Sequence, residues 1–510
     1  MSVADAALPR SAAGNRNPWL IAVVVSLATF MEVLDTTIAN VALRHIAGSL
    51  AASQDEATWI LTSYLVSNAI VLPVSGWLAN VIGRKRFYML CVGLFTAASV
   101  MCALSTSLGM MLTARVLQGI GGGGMAPTEQ SMFADTFPPE KRAQAFALYG
   151  LTVVSAPAIG PVLGGWLTDH ASWHWVFLIN LPVGLLSLFL VQWLVVEPKA
   201  LQEDRRKLLS GGLRVDYIGV MLVVLGFGAL QIMLDRYERD DGSSSPFITV
   251  LGLTAAICLG GLVIWELLHD QPVVNVKLLR VRAFAISCTM MFAVGFILIS
   301  TTQLLPQLAQ GLLGYDATTA GMTLGLGGVA SLVLMPVAGV ITGRLIQPKW
   351  LILMAVLGTG WSMMSAAYLN LDVSFWNISV TRITQVVWLP FLFIPLSAVS
   401  YVGVPPDRSN DASALINLMR NLGGSVGVSF TTTMLAERTQ FHHARLAEHI
   451  TAYNGYDWST PLAPINRIIE AQASIMSYLD IFWALGIVAF LIWPLVLLLP
   501  RVPKGTAPAH

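Results

Sequence analysis

Charge is scarce in this chain of 510 residues, since Asp, Glu, Lys and Arg together make up only 11 % of it. Soluble globular proteins carry roughly 25 % of these residues. Hydrophobic residues reach 55 %, and apolar runs recur along the whole length from Trp19 to Leu499. Because a membrane span needs about 20 apolar residues, helices and short loops use up the chain. The composition therefore excludes a large soluble domain and predicts a polytopic membrane protein.

Cysteine is also rare. The four cysteines all fall within apolar runs, so we expect neither a disulfide framework nor a cysteine-based metal site. No metal or other cofactor is predicted. The net charge of +1 averages a basic inner face with the rest of the chain and so says nothing about partners, and no other feature supports nucleic-acid binding. The first 18 residues lack the charged region, short apolar core and cleavage site of a signal peptide. We therefore expect the first apolar segment to be retained as a helix.

Fourteen apolar segments have the length of a membrane span. With an even number of spans both termini lie on one side, and the positive-inside rule selects that side. If the N-terminus is cytoplasmic, 20 of the 29 basic residues, including every lysine, lie on the inner side. Both termini are therefore predicted to be cytoplasmic. The spans cover residues 19-43, 58-80, 87-106, 108-130, 143-167, 175-196, 215-234, 247-267, 284-308, 320-343, 350-369, 378-402, 413-437 and 478-499.

Short sequences in the first part of the chain return in the second part. Arg115 and Gln118 recur as Arg382 and Gln385, and in both copies a Pro-Pro pair begins 23 residues after the arginine. A weaker copy of the loop that follows Gly76 is found further on, at 339-344. The first six and the last six spans are therefore interpreted as a tandem duplication, which is a known plan of transporters.

The duplication predicts two six-helix bundles with two extra helices between them. The domains are a cytoplasmic tail at 1-18, an N-terminal bundle at 19-196, a linker with the extra helices at 197-283, a C-terminal bundle at 284-499 that includes an outer loop at 438-477, and a cytoplasmic tail at 500-510.

Two ionisable residues lie deep within apolar runs. Asp35 is about 12 Å and Arg115 about 10 Å from the outer ends of their spans, at 1.5 Å per helical residue. Because a charge inside a bilayer is costly unless it is paired or faces water, we expect the two side chains to approach each other in a central cavity. A proton arriving at Asp35 would then release Arg115 and bias a two-state structure. A fixed salt bridge that only orients helices is the alternative.

Other polar residues within spans are candidates for the same cavity. Glu32, one turn deeper than Asp35, is interpreted as an auxiliary acid or as a solvated cavity residue, whereas Glu129 is expected to be an acid at the membrane interface. Arg420 either holds helices of the C-terminal half together or reaches the cavity. The predicted cavity residues are Thr36, Asn40, Gln118, Arg382, Gln385, Asn417 and Arg420.

Glycine marks two further stretches. Gly76, Gly83 and Arg84 belong to a short basic loop, which is either a topology anchor or a gating latch. The fifth span contains Gly160, Pro161, Gly164 and Gly165, so it is expected to be kinked and closely packed.

These motifs together resemble the major facilitator superfamily, in its fourteen-helix drug:proton antiporter branch, and especially the EmrB-type exporters of Gram-negative bacteria. The resemblance extends over essentially the whole chain. One departure is Asn80, where the family usually has aspartate, followed by Val81 in place of a basic residue, so a charge-based latch is in doubt. The matching motifs are Leu34 to Ala42, Gly76 to Arg84, Arg115 to Gly119, Gly160 to Gly165 and Trp173 to Pro182.

The resemblance implies an all-α major facilitator fold and proton-driven efflux of lipophilic compounds across the bacterial inner membrane, with a role in antibiotic resistance. It also implies a periplasmic adaptor and an outer-membrane channel as partners, with the segment 438-477 as an adaptor contact or as a simple lid. An exporter of one metabolite, such as a fatty acid, siderophore or peptide, is the alternative. No carboxylate or histidine cluster supports a membrane enzyme, and the repeat argues against a passive channel.

Overall fold

The described part of the chain is helical almost throughout, as a computed structural model shows. This structure describes residues 17–197, 202, 203, 205, 206, 210, 216–240, 242–269, 272–342, 345–405, 408–450 and 462–500. Apart from one isolated bridge between Thr342 and Ile346, the regular elements of these residues are α-helices and two short 3-10 turns. The helices are α1 (Pro18–Ser49), α2 (Gln54–Ile82), α3 (Arg84–Ala103), α4 (Leu108–Gly122), α5 (Met125–Thr136), α6 (Pro139–His170), α7 (His174–Leu178), α8 (Asn180–Leu194), α9 (Tyr217–Arg236), α10 (Pro246–Leu268), α11 (Arg282–Gly311), α12 (Ala317–Ile341), α13 (Pro348–Ala366), α14 (Phe375–Val386), α15 (Leu389–Ser400), α16 (Ser409–Glu448), α17 (Leu462–Leu491) and α18 (Trp493–Leu497).

Helices lie at each of the fourteen segments expected from the apolar runs, and four of these segments consist of two consecutive helices, such as α4 followed by α5. Within the described ranges, eleven helices are long and apolar enough to cross a membrane. The number of fourteen crossings stays a prediction. The predicted outer loop at 438-477 is largely helical where it is described, because α16 continues to Glu448 and α17 begins at Leu462.

The glycine run between α4 and α5 lies against two neighbouring helices. A Cβ added at Gly121 would lie 2.8 Å from the carbonyl oxygen of Cys91 in α3, and one at Gly123 would lie 2.8 Å from that of Asn68 in α2. Side chains at these positions would push the helices apart, so the run permits close packing. The helix also ends here, since α4 stops at Gly122 and α5 starts at Met125.

The two extra helices, α9 and α10, pack on each other, and α9 contacts both halves. Gln231 of α9 accepts a hydrogen bond from Ser425 of α16 at 2.9 Å. On the other side, the hydroxyl of Thr62 in α2 donates to Asp235. The preceding basic linker lies mostly outside the described residues, as do both predicted terminal tails except for residues 17, 18 and 500.

The two halves meet through polar side chains at the end of the bundle where Gly83 joins α2 to α3, which we call the Gly83 end. Asn80 donates to Asp411 at 2.9 Å and accepts from Asn410 at 2.5 Å. Arg84 forms an ion pair with Asp135 and donates to Ser409 at 2.9 Å. Neutral Asn80 thus still links the halves, because an amide can donate and accept at once.

Glycine makes this contact possible. A Cβ added at Gly76 would lie 2.9 Å from the Cα atom of Asp411 and 3.0 Å from the carbonyl oxygen of Asn410. Gly83 has a φ of +97°, which L side chains rarely adopt. The weaker second copy of the loop cannot be compared, since residues 343 and 344, like 406 and 407 of the second Pro-Pro segment, lie outside the described residues.

We expect Gly76→Ala to loosen the closure at the Gly83 end, because the added methyl group meets the backbone of α16. Ser413, buried in α16 below the closure, can be changed to cysteine in a variant that lacks the native cysteines. Its labelling by a membrane-impermeant maleimide should become faster in Gly76→Ala. Gly260→Ala is the matched control, since nothing lies within 4 Å of its added Cβ. Equal labelling rates would contradict the role of Gly76.

Candidate functional site

Asp35 and Arg115 are in direct contact, as their matched depths suggested. Arg115 Nη1 donates to Asp35 Oδ2 at 2.8 Å, and each residue is only 1 % exposed. Arg115 also donates through Nε to the carbonyl oxygen of Ile60 at 3.0 Å, and its guanidinium lies over the Tyr64 ring, 4.5 Å from the centroid. The pair is therefore enclosed by α1, α2 and α4 within the N-terminal half.

The second carboxylate oxygen of Asp35 is held by amides. Gln118 Nε2 donates to Oδ1 at 3.0 Å, and Asn180 Nδ2 donates to the same oxygen at 2.6 Å. Both amides also donate to the hydroxyl of Ser99, at 2.7 and 3.1 Å. Sequence reasoning assigned no role to Asn180, although it lies in the Trp173 to Pro182 motif. Both oxygens of Asp35 are satisfied, as a buried carboxylate requires.

Glu32 connects to this pair through Tyr64. Tyr64 donates its hydroxyl to Glu32 Oε1 at 3.0 Å, and Asn68 donates to the same oxygen at 3.3 Å. Since the Tyr64 ring also contacts Arg115, one side chain touches both the auxiliary acid and the partner of Asp35. Tyr64 was not predicted, because a tyrosine in an apolar helix is ordinarily a core residue.

A further polar cluster joins the two halves near the middle of the bundle. Arg420 of α16 donates to the hydroxyl of Tyr149 in α6 at 2.7 Å. Asn417, one turn earlier in α16, donates to Gln130 of α5 at 3.0 Å. Arg420 thus contacts the other half through Tyr149 and its own half through Asn421, at 3.5 Å, and both roles considered for it stay predictions.

Glu129 does not lie at an interface as expected. Its side chain is 0 % exposed, and Oε1 accepts a hydrogen bond from Ser26 of α1 at 2.5 Å. The interfacial interpretation relied on its place near the end of an apolar run, but α5 continues to Thr136 and places Glu129 inside the N-terminal half.

The remaining predicted cavity residues are spread over the molecule. Thr36 is half-buried and donates its hydroxyl to the carbonyl oxygen of Val33 at 2.8 Å, whereas Asn40 is exposed. Arg382 and Gln385 lie in α14 of the C-terminal half, where Arg382 donates to Thr302 at 2.9 Å. The structure therefore joins Asp35, Arg115 and Gln118 directly and adds Glu32 through Tyr64, while Arg382 and Gln385 form a separate site.

The glycine-rich stretch of α6 packs beside Asp35. A Cβ added at Gly160 would lie 2.7 Å from Thr37 Cβ, and one at Gly164 would lie 3.1 Å from Ile38 Cγ2. On another side, Pro161 contacts α12, since a Cβ added at Gly321 would lie 3.3 Å from Pro161 Cβ. Gly165 is buried. The expected close packing is thus present, and α6 lies between the helix of Asp35 and the C-terminal half.

Comparison with known proteins places this arrangement in a family. The model of the Major Facilitator Superfamily matches residues 25–428. The chain belongs to this superfamily. It is 35 % identical over 503 residues to the multidrug export protein EmrB of Haemophilus influenzae, with 96 % of each chain covered. It is also 34 % identical over 486 residues to the fatty acid resistance protein FarB of Neisseria gonorrhoeae, covering 92 % of this chain and 94 % of that protein.

The fold has counterparts among solved structures. The proton:xylose symporter XylE superposes with a TM-score of 0.61 at 16 % sequence identity, over 95 % of this chain and 96 % of that one. At this identity the likeness shows the fold alone. The resemblance to EmrB-type exporters and the all-helical major facilitator fold are therefore confirmed, and the chain is a multi-pass membrane transporter of this family.

Gly160→Ala is expected to destabilise the protein, because the added methyl group meets Thr37 across the α1–α6 contact. Overpacking of this kind typically costs about 1–3 kcal/mol. Gly93→Ala in α3 is the control, since nothing lies within 4 Å of its added Cβ, and a tolerated Gly→Ala change stabilises by about 0.4–1 kcal/mol. Thermal unfolding in detergent compares the two. A melting temperature for Gly160→Ala at or above that of the unmodified protein would exclude this tight contact.

Proposed function

We propose that this protein is a proton-coupled antiporter that exports lipophilic drugs and toxic compounds across the bacterial inner membrane by alternating access. Both termini are cytoplasmic in this proposal, as the distribution of basic residues predicts. It is supported by full-length similarity to a relative named as a multidrug export protein. The observation that carries it is the buried ion pair of Asp35 and Arg115.

Protonation of Asp35 is the coupling step. A neutral carboxyl group no longer attracts the guanidinium of Arg115, which then keeps Gln118, the Ile60 carbonyl and the rings of Tyr64 and Phe177. A buried pair that loses one charge is strongly destabilised. The resulting shift in α1 acts on α6 through Gly160 and Gly164, and α6 in turn contacts α12 of the other half. One proton can thereby bias the relative position of the halves.

Glu32 serves as the auxiliary acid. It is half-buried, whereas Asp35 is enclosed, so a proton or the cationic end of a substrate reaches Glu32 first. The hydroxyl of Tyr64 then links it to the pair. Thr36, Asn40, Asn417 and Arg420 are proposed to line the substrate route between the halves.

The protein is further proposed to work with a periplasmic adaptor and an outer-membrane channel. Support comes from the extension of α16 beyond its predicted span and from its contact with α17, where Arg438 and His442 both bond Asp480, at 2.6 and 2.7 Å. This helical pair presents Phe441, which is 46 % exposed. Part of the expected contact, residues 451–461, lies outside the described residues.

Export of one dedicated metabolite remains the second candidate. The observation that favours it is the similarity to a relative named as a fatty acid resistance protein. A narrow resistance profile in cells that express the protein would support this candidate over a multidrug exporter.

Asp35→Asn should abolish proton-driven export while leaving substrate binding intact, because asparagine keeps the shape but cannot exchange a proton. We expect gradient-driven efflux of a lipophilic fluorescent dye from proteoliposomes to fall about tenfold or more, within the usual range of coupling between two sites. Dye affinity is measured separately by fluorescence titration of purified protein.

The control is Asp372→Asn, since Asp372 is an exposed residue between α13 and α14. It should transport like the unmodified protein. Unchanged efflux by Asp35→Asn under the same pH gradient would show that the ion pair only orients helices. A parallel loss of dye affinity and efflux would instead point to general misfolding.

Glu32→Gln is expected to weaken binding of cationic dyes more than that of neutral ones, because it removes the half-buried negative charge without changing the side-chain shape. The affinity for a cationic dye should fall by about 5- to 150-fold, corresponding to 1–3 kcal/mol. Titrations with a cationic dye and a neutral dye of similar size provide the measurement. Equal changes for both would assign Glu32 to the proton pathway alone.

A further inference from the structure

The second copy of the Arg-x-x-Gln motif lacks the acid that the first copy binds. Arg115 contacts the carboxylate of Asp35, whereas Arg382 donates only to hydroxyl groups of α11, to Thr301 at 3.4 Å and Thr302 at 2.9 Å. In the described part of the chain no carboxylate forms an ion pair with Arg382. The duplicated architecture thus repeats the cation without its anion.

Several polar atoms of this second motif are buried without a partner. They are Arg382 Nε and both side-chain polar atoms of Gln385, in residues that are 6 % and 2 % exposed. A buried cation without an anion is unfavourable within a membrane. Native structures leave few such groups unsatisfied, so the site is chemically matched to an anionic ligand that supplies acceptor oxygens.

An apolar groove leads from the outside of the bundle towards this site. It lies between α6 and α12, has a volume of about 430 Å³, and is lined by side chains such as Ile159, Met322, Val329 and Trp376. These four side chains are 44 to 66 % exposed, and in a spanning helix such exposure is to lipid. The volume lies within the usual range of small-molecule sites, about 300–1,000 Å³.

The groove and the arginine are adjacent. A second, smaller cavity is lined by Arg382, Thr302, Val154 and Pro157, and Gly328 lines both this cavity and the groove. The cavity at Arg382 has a volume of about 10 Å³, which is room for about one water molecule. The end group of an apolar chain lying in the groove would therefore reach Arg382 once the side chains around Gly328 move apart. No acidic side chain lines either cavity.

We propose that Arg382 and the α6–α12 groove form a binding site for a lipophilic carboxylate, with its chain in the groove and its head group on the guanidinium. This inference rests on the proposed export function and names one substrate class for it. The planar fork of arginine matches a carboxylate in two parallel hydrogen bonds, and the free amide of Gln385 is one helical turn away. A cationic amphiphile would bring a second positive charge to the site.

The test is equilibrium binding to the full-length protein in lipid nanodiscs. The probes are a pyrene-labelled long-chain carboxylate and its uncharged methyl ester. The unmodified protein should bind the carboxylate more tightly than the ester. Arg382→Gln should lower the affinity for the carboxylate about tenfold or more, in line with a charge-assisted hydrogen bond, and should leave that for the ester unchanged. An equal affinity for both probes in the unmodified protein would overturn the proposal.

Three variants provide controls. Arg382→Lys keeps the charge and should retain part of the preference for the carboxylate over the ester. If Arg382→Lys shows no more preference than Arg382→Gln, the positive charge does not cause the preference. Arg239→Gln removes an exposed arginine and should change nothing. Gly325→Leu places a side chain in the groove without a clash at Cβ, since nothing lies within 4 Å of an added Cβ at Gly325. It should weaken the binding of both probes. Unchanged binding by Gly325→Leu would exclude the groove.

The source of the anion and the transport proposal are tested separately. Nanodiscs of phosphatidylcholine and of phosphatidylglycerol are compared, and a carboxylate preference that persists in both supports the proposal. If the preference for the carboxylate disappears in phosphatidylglycerol nanodiscs, a lipid head group occupies the Arg382 site, and the proposal of a lipophilic carboxylate is overturned. Because binding needs no pH gradient, failure of proton-driven efflux with intact carboxylate binding would reject the transport function only. If the protein exports dye under a pH gradient but Arg382→Gln does not change carboxylate binding, only the Arg382 site is rejected.

Discussion

A charge within the bilayer must find a partner, and the structure of this transporter is arranged around that requirement. Translocon-based scales place the cost of an aspartate or arginine at the centre of a spanning helix at about 2.5–3.5 kcal/mol. The ion pair between Asp35 and Arg115 offsets this cost, and Gln118 and Asn180 donate hydrogen bonds to the second oxygen of the carboxylate. Five helices are joined by this one group, because α1, α4 and α8 supply its charged and amide side chains, α3 supplies the Ser99 hydroxyl and α2 the Ile60 carbonyl.

The same region shows how a local change can reach the whole molecule. Small residues bring α6 into contact with α1 directly after Asp35, and the opposite side of α6 lies on α12. Packed cores resist continuous deformation, so in the proposed mechanism a shift of α1 would be passed on through these contacts. Separation of the halves would break the polar closure at the Gly83 end and, further along the bundle, hydrogen bonds such as those of Arg420 with Tyr149 and Asn417 with Gln130.

The two halves share an architecture but differ in charge. Among the described residues, the N-terminal half carries Glu32, Asp35 and Glu129 within its spans, and Asp35 has a cation in direct contact. Within the described residues, Arg382 and Arg420 of the C-terminal half contact hydroxyl, amide and aromatic groups and form no ion pair, while the buried acid of that half, Asp411, lies at the Gly83 end beside Arg408. If the repeat is a duplication, as the sequence predicts, the arginine motif was kept while its partners diverged, and the proposed site of proton exchange is separate from the proposed anion site.

The sequence by itself determined the class of the protein and most of its helices, because membrane spans must be apolar over about 20 residues and the loops on the cytoplasmic side are rich in Lys and Arg. It also predicted the Asp35–Arg115 contact, since two opposite charges at equal depth have few other partners. It could not locate Asn180, Tyr64 or the buried position of Glu129, which depend on how helices far apart in the chain turn towards one another. The tertiary structure alone decided that Arg420 contacts the other half and that Arg382 meets hydroxyl groups, with no acid against it among the described residues. Helical periodicity tells which side chains share a face, but only packing decides what that face meets.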